Sequence, residues 1–179
     1  MNTKMSKLAL AIGALVMAGG AMAQSTATTN SATANANVIA PITITNGQTL
    51  EFGNVVAGAG TVTIAAATGN RTDSVPALTP GGQKGTVRAA TFNVAGEGTS
   101  TYAITLPSTD VTLSDGAGTP HTMTVNAFKV AGTGVDSLLN TGVLAAGVAT
   151  LNVGATLNVA ALQAPGAYTG TYSVTVAYN

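Results

Sequence analysis

Very few residues in this chain could support nucleophilic or zinc-dependent chemistry. Its 179 residues include one histidine, His121, and no cysteine. A serine triad needs a base beside its nucleophile, so His121 would have to fill that role. His121 follows Pro120 where a strand is predicted to begin, and we expect its side chain to lie in solvent. A tetrahedral zinc site takes histidine and cysteine ligands, and this chain cannot fill one.

Calcium is the remaining candidate metal, because it takes oxygen ligands and the acidic residues could supply them. Asp110 and Asp115 flank a predicted strand, and Asp73 and Asp136 fall in predicted loops, but none forms a D-x-D-x-D pattern. Six scattered acids and no tryptophan argue against glycoside hydrolysis. The glycine-rich stretch Gly81–Gly85 lacks the G-K-[ST] ending of a phosphate loop. We therefore predict no catalytic, cofactor-binding or metal-binding residues, and no enzyme activity.

The N-terminus has the features of a secretory signal peptide over residues 1–23. Two lysines precede an apolar run, Leu8–Ala18, and Ala21-Met22-Ala23 provides the small-residue cleavage pattern. The apolar run is too short to span a bilayer comfortably. The mature chain is predicted to begin at Gln24, to keep no integral membrane segment, and to pass through the periplasm to the cell surface or the extracellular medium.

The composition of the remaining 156 residues fits one exported domain with an uncharged surface. Four basic and six acidic residues leave a net charge of −2, with no basic patch to hold a nucleic acid. Only 7% of the whole chain is charged, and without cysteine no disulfide can form. The fold must depend on apolar burial and backbone hydrogen bonds. Few charges protect an exposed strand edge, which favours a surface structural protein that associates with itself.

The C-terminal stretch Gly166–Asn179 gives the clearest strand pattern. Its larger side chains fall on even positions and its small or polar ones on odd positions, which predicts a strand with one apolar face. Four residues of that face are candidates for an assembly role: Tyr172, Val174, Val176 and Tyr178.

Similar short alternating segments recur through the chain, and no segment after Ala23 has a helical period. Thr150–Ala160 repeats a hexad, TLNVGA then TLNVAA, with Gly154 as a possible bulge. Asn46-Gly47 predicts a turn. The strands on either side of it would be joined by a three-residue hairpin loop, or the chain would cross there to a second sheet. The pattern predicts an all-β fold, an immunoglobulin-like β-sandwich of about seven to ten strands over residues 36–179. Further strands are predicted at Thr61–Ala65, Ala89–Ala95, Thr101–Leu106, around Val111 and Leu113, and around Met123, Val125 and Phe128.

Residues 24–35 are low in complexity and predict a flexible N-terminal extension or a strand that is donated to another copy. An alternation of small residues begins at Ala32, so Ala32, Ala34 and Ala36 would face one side of such a strand. Pro41 restricts the strand that follows to a sheet edge or a bulge. Thr68–Gly85, with two prolines and paired glycines, predicts an extended surface excursion.

Three stretches of the sequence carry a resemblance to a known family: Ala36–Phe52 running into Gly53, Tyr102–Pro107, and Thr156–Asn179. Together they resemble the bacterial domain of unknown function 4402 family. The resemblance implies an exported, pilin-like β-sandwich, since some members resemble subunits of chaperone–usher fimbriae. It also implies a periplasmic chaperone that recognises the terminal strand, with Tyr178 next to last, and an outer-membrane usher.

Two functions follow, and they differ in whether the sandwich is complete. The leading one is a structural subunit of a fimbria-like assembly, joined through β-strand complementation. The alternative is a self-contained surface module that binds glycan or matrix. The absence of a cysteine pair and the small side chains of the extension separate this chain from common pilins and keep the second function open.

Overall fold

The computed structural model describes residues 28–77 and 84–179, and this part of the chain contains strands but no helix. Residues 28–37 have no regular structure, and each is exposed. The compact unit Val38–Asn179 holds the sandwich. Its strands are β1 (Thr43–Gln48), β2 (Gly60–Ile64), β3 (Arg71–Asp73), β4 (Ala90–Ala95), β5 (Thr101–Thr105), β6 (Val111–Ser114), β7 (Thr122–Ala131), β8 (Val135–Asp136), β9 (Thr141–Val143), β10 (Val148–Val159) and β11 (Thr175–Tyr178).

The larger sheet is antiparallel and is organised around the twelve-residue strand β10. Along one edge β10 pairs first with β4 and then with β2. Along its other edge it pairs with β7, which in turn pairs with β6. β1 extends the sheet beyond β4, and β3 extends it beyond β2.

The smaller sheet is also antiparallel, in the order β11-β5-β9-β8. Tyr102 and Ile104 of β5 face the larger sheet and are 0% and 4% exposed. The Tyr102 ring lies against Gly142 of β9, where a Cβ atom would collide with it. Apolar side chains from both sheets therefore form one core, the usual arrangement of a β-sandwich.

The alternating patterns locate most of this core correctly, and the all-β class is confirmed. Leu151, Val153, Leu157 and Val159 of the hexad repeat are all buried along β10. The predicted strands at Thr61–Ala65, Ala89–Ala95 and Thr101–Leu106 are present with bounds shifted by one residue at most. The described residues form eleven strands, one more than the predicted range, because short strands with weak patterns add to the edges.

The N-terminal part of the domain differs from its predicted form. The alternation that begins at Ala32 does not produce a strand until Thr43, although β1 does lie at a sheet edge after Pro41. Asn46-Gly47 does not turn: β1 runs through it, and Gly47 is the extra residue of a bulge opposite β4. The turn prediction failed because β1 pairs with β4, so no local hairpin forms.

Two further predictions were wrong in position. Gly154 is not a bulge; the extra residue lies on β7, where Ala127 has a φ of 51°. Gly154 instead permits a close approach of the Ile64–Ala66 backbone. The C-terminal strand covers only Thr175–Tyr178, because the preceding residues form an irregular segment. Residues 1–27, with the predicted signal peptide, and 78–83, with part of the glycine-rich stretch, lie outside the described residues.

Candidate functional site

A cleft of about 970 Å³, lined by both apolar and polar residues, opens into one end of the sandwich. Its floor is formed by β6, β7 and the end of β10, and its walls are two irregular segments. We call residues 49–57 the first lip and residues 163–172 the second lip. The apolar lining comprises Leu50, Phe52, Val55, Val111, Leu113, Met123, Val125, Phe128, Leu157, Val159, Tyr168 and Tyr172.

Arg71 of β3 is one attachment of the first lip, beside backbone hydrogen bonds from Glu51 and Asn54. The side chain of Arg71 is only 3% exposed and forms an ion pair with Asp73. Its Nη1 donates hydrogen bonds of 2.7 Å to the carbonyl oxygens of Phe52 and Asn54. A second attachment is the backbone bridge between Glu51 and Arg88. A charged donor inside the protein thus fixes two carbonyls of an otherwise irregular segment.

The second lip is attached to the hairpin between β6 and β7. Ser114 and Thr169 exchange backbone hydrogen bonds of 2.8 and 2.9 Å. The Tyr168 hydroxyl donates to the Ala164 carbonyl at 2.8 Å and accepts from Gln163 Nε2 at 2.7 Å. The lip therefore folds back on itself, with Tyr168 as its centre.

The same hairpin carries the only histidine of the chain. His121 Nδ1 lies 2.7 Å from Asp115 Oδ2, and Asp115 Oδ1 accepts the backbone N–H groups of Ala117 and His121. The hydrogen bond from the His121 side chain is the main cause that lowers the pKa of Asp115, followed by the one from Ala117. The His121 side chain is 54% exposed, so the pair closes a turn at the surface.

Tyr172 marks the deep end of the second lip, where the chain approaches β11. Its ring centroid is 5.0 Å from that of Phe128 and 6.3 Å from that of Phe92, the latter in an edge-on arrangement. Burial raises the pKa of Tyr172 to about 12. The ring therefore joins the wall of the cleft to the core of the sandwich.

The described residues include no group of three or more His, Cys, Asp or Glu that could hold a metal ion. Within the same two ranges, no helix is long and apolar enough to cross a bilayer. Asp110, a calcium candidate, is exposed, and Asp136 of β8 accepts the backbone N–H groups of Leu138 and Leu139 in the following loop.

Residues 42–178 match the sequence profile of a family described as domain of unknown function, DUF4402. The chain belongs to this family. No curated protein matches it.

The assembly candidates of this DUF4402 domain lie in different places. Tyr172 lines the cleft, while Val174, Val176 and Tyr178 are half-buried against the core along β11 and the approach to it. The Tyr178 hydroxyl accepts the Glu97 N–H at 2.6 Å and donates to the Ala40 carbonyl at 2.9 Å.

The three small candidates, Ala32, Ala34 and Ala36, belong to the unit that ends at Asn37 and are exposed there. Sequence reasoning missed the first lip and its anchor. The pair Leu50 and Phe52 was visible as an alternation, and Arg71 is one of only four basic residues after Ala23.

Proposed function

We propose that this DUF4402 domain is a non-enzymatic, exported structural subunit of a fimbria-like surface assembly, joined to its neighbours by β-strand complementation. The observation that carries the proposal is the cleft between the two lips. A cleft of about 970 Å³ has room for roughly thirty waters at about 30 Å³ each. Its lining includes the apolar side chains of Leu113, Val125 and Phe128, so an occupant that covers them would remove apolar surface from water.

The position of the cleft favours an occupant from another copy. Its floor includes Leu157 and Val159, at the end of β10. The start of the domain lies at the opposite end, because Thr43 of β1 pairs with Ala95, and Ala95 with Val148 at the start of β10. A strand rises ~3.3 Å per residue, so the twelve residues of β10 separate the two ends by roughly 40 Å.

A contact between opposite ends of identical copies is heterologous, and such contacts generate open filaments. The donated segment in this proposal is Gln24–Ala36, which precedes the domain. An extended segment pairs its backbone with an open sheet edge and inserts alternate side chains into a groove. Here those side chains are Ala32, Ala34 and Ala36, or Ala27 and Thr29 in a shifted register, so backbone pairing contributes more than apolar burial.

Export completes the proposal: the signal is removed before Gln24, and a periplasmic chaperone and an outer-membrane usher deliver the subunit to the surface. N-terminal sequencing of protein recovered outside the cytoplasm should begin at Gln24. An intact Met1 would contradict this cleavage.

A pair of substitutions in one strand tests the use of the cleft. Leu113 of β6 lines the cleft, whereas its neighbour Thr112 is exposed on the opposite face. Leu113→Asp places a charge where the donated segment would lie, and we expect it to abolish filaments seen by electron microscopy. Thr112→Asp should assemble like the unaltered protein. Filaments formed equally by both variants would contradict the proposal.

Deletion of Gln24–Ala36 is a second test, which removes the whole donated segment and leaves the compact unit Val38–Asn179 untouched. We expect this truncated protein to keep its far-ultraviolet circular dichroism and to form no filaments. A synthetic peptide of residues 24–37 should then bind to it, and Leu113→Asp should weaken that binding. A full-length protein that is a stable monomer in size-exclusion chromatography would instead favour the self-contained binding module.

A further inference from the structure

Among the described residues, exposed large apolar side chains are concentrated at the end of the domain opposite the cleft. Four of the seven lie there. Val38 and Ile39 precede β1, which begins at that end, while Val143 ends β9 and Val148 begins β10. Val38 is 94% exposed and Ile39 is 48% exposed. Single exposed apolar residues are normal on a protein surface, whereas several at one end indicate a contact with another molecule.

Ala40, which follows Ile39, is fixed to the domain through both of its backbone polar groups. Its N–H donates to a carboxylate oxygen of Glu97 at 3.1 Å, and its carbonyl accepts the Tyr178 hydroxyl at 2.9 Å. Val38 and Ile39 are therefore attached to a fixed point of the domain, although their side chains are in solvent.

The chain between this fixed point and the donated segment is short. Only residues 37–39 separate Ala40 from Ala36, where the donated segment ends. The four steps from Ala36 to Ala40 span at most ~14 Å when fully extended. When Ala36 lies in the cleft of the next copy, that cleft must be within the same distance of Ala40. The two domains therefore lie against each other, with Val38 and Ile39 between them.

The cleft end of the domain offers an exposed apolar side chain of its own, Leu162. This residue is 96% exposed and directly precedes Gln163, which lines the cleft. It belongs to a turn after β10 in which the Gln163 N–H donates to the Ala160 carbonyl at 3.3 Å. A leucine in this position is removed from water only when a partner covers it.

We propose that Val38 and Ile39 of one copy pack against Leu162 of the next copy, where the donated segment enters the cleft. This contact deepens the proposed function and rests on it, because the donated segment brings the two ends together. Side chains from opposite ends of the domain make the contact heterologous, as a filament requires. Their burial supplies apolar area that the alanines of the donated segment lack.

A single contact between two copies can be isolated and measured. A donor copy with Leu113→Asp has a blocked cleft, and an acceptor copy without Gln24–Ala36 has nothing to donate. Isothermal titration calorimetry of the two copies gives their dissociation constant. We expect Val38→Asp in the donor, or Leu162→Asp in the acceptor, to weaken binding about tenfold. Both side chains are almost fully exposed, so neither substitution should unfold its copy.

Leu138→Asp is the matched control. Leu138 is 92% exposed in the loop between β8 and β9, at the edge of the smaller sheet. In either copy, Leu138→Asp should leave the dissociation constant unchanged. A loss of binding that is equal for Leu138→Asp and Val38→Asp, or no loss with Val38→Asp, would overturn the proposal.

An opposite-charge pair tests whether Val38 and Leu162 touch. Val38→Lys in the donor and Leu162→Asp in the acceptor should each weaken binding. Together they should bind at least about threefold tighter than the two separate losses predict, because residues in contact are not independent. Strictly additive losses would show that the two residues are apart and would overturn the contact.

The outcome is separable from the proposed function, because the peptide of residues 24–37 ends before Val38 and measures the donated segment alone. If the peptide binds the acceptor and the donor copy is indifferent to Val38→Asp, strand complementation stands and the contact is refuted. If the donor copy binds through Val38 and the peptide does not bind, the contact stands and strand complementation is refuted. Binding by neither would overturn both.

Discussion

Arg71 is the residue whose loss should disturb the cleft most, and its cost can be worked from the structure. Arg71→Ala removes two hydrogen bonds of 2.7 Å from the first lip, to the carbonyls of Phe52 and Asn54. A hydrogen bond to a charged group contributes about 1.5–3 kcal/mol net. Asn54 is exposed, so water can replace its bond, while Phe52 is half-buried and its carbonyl loses more.

We therefore expect Arg71→Ala to lower the free energy of unfolding by about 2–4 kcal/mol, including the partial loss of the Asp73 ion pair. Arg88→Ala is the matched control, because Arg88 also reaches the first lip but is 41% exposed, beside Glu51 at 43%. Its two hydrogen bonds to Thr49 and its ion pair with Glu51 are all exposed to water, and exposed pairs contribute about 1 kcal/mol or less. The two substitutions should therefore differ clearly, although both remove an arginine from the same lip.

Urea denaturation of residues 24–179, followed by circular dichroism, measures the difference. With a slope of ~1–3 kcal/mol per M, Arg71→Ala should move the midpoint down by roughly 1–2 M, and Arg88→Ala by well under half of that. Equal shifts for the two variants would refute the assignment of Arg71 as the anchor of the first lip.

Three further predictions test the C-terminal strand and the hairpin. In urea denaturation, Val176→Asp should lower the free energy of unfolding by about 2–4 kcal/mol and Thr175→Asp by less than about 1 kcal/mol. The reason is that Val176 faces the core opposite Ile104, while Thr175 is exposed. Equal costs would show that β11 has been placed with the wrong face inward. Tyr178→Phe removes both hydrogen bonds of its hydroxyl and should cost about 1–3 kcal/mol by the same measurement, whereas an unchanged midpoint would mean that the hydroxyl contributes nothing. The Asp115 pKa is lowered in the folded state, so its carboxylate stabilises the fold above about pH 4 and that stabilisation is lost as the pH falls through the lowered pKa. Asp115→Asn should flatten the fall in melting temperature below about pH 4, and an identical acid profile for both proteins would contradict this.

The core could be read from the sequence because strand alternation is a local property. Leu151, Val153, Leu157 and Val159 share one parity, and the structure buries all four. The terminal strand shows the limit of the method. Its alternation extends back to Tyr168, yet only Thr175–Tyr178 pair with β5, since the second lip bonds instead to itself and to Ser114.

The cleft could not be predicted, because it depends on contacts between distant segments. Nothing local indicates that Arg71 bonds to Phe52, nineteen residues earlier. The failed turn at Asn46-Gly47 has the same cause: the pairing of β1 with β4 joins residues about fifty apart and overrides a local preference.

The hydrogen bonds that hold Ala40 at the start of the domain have a mechanical consequence. Ala40 is held twice, through its N–H by the Glu97 carboxylate at 3.1 Å and through its carbonyl by the Tyr178 hydroxyl. Tension applied to the chain before Val38 reaches these two bonds first and then the ladder between β1 and β4. A pull along β1 loads that ladder in shear, with several hydrogen bonds strained together, so the rate of rupture is set by the whole strand. The last strand of the domain thus braces the point where load enters.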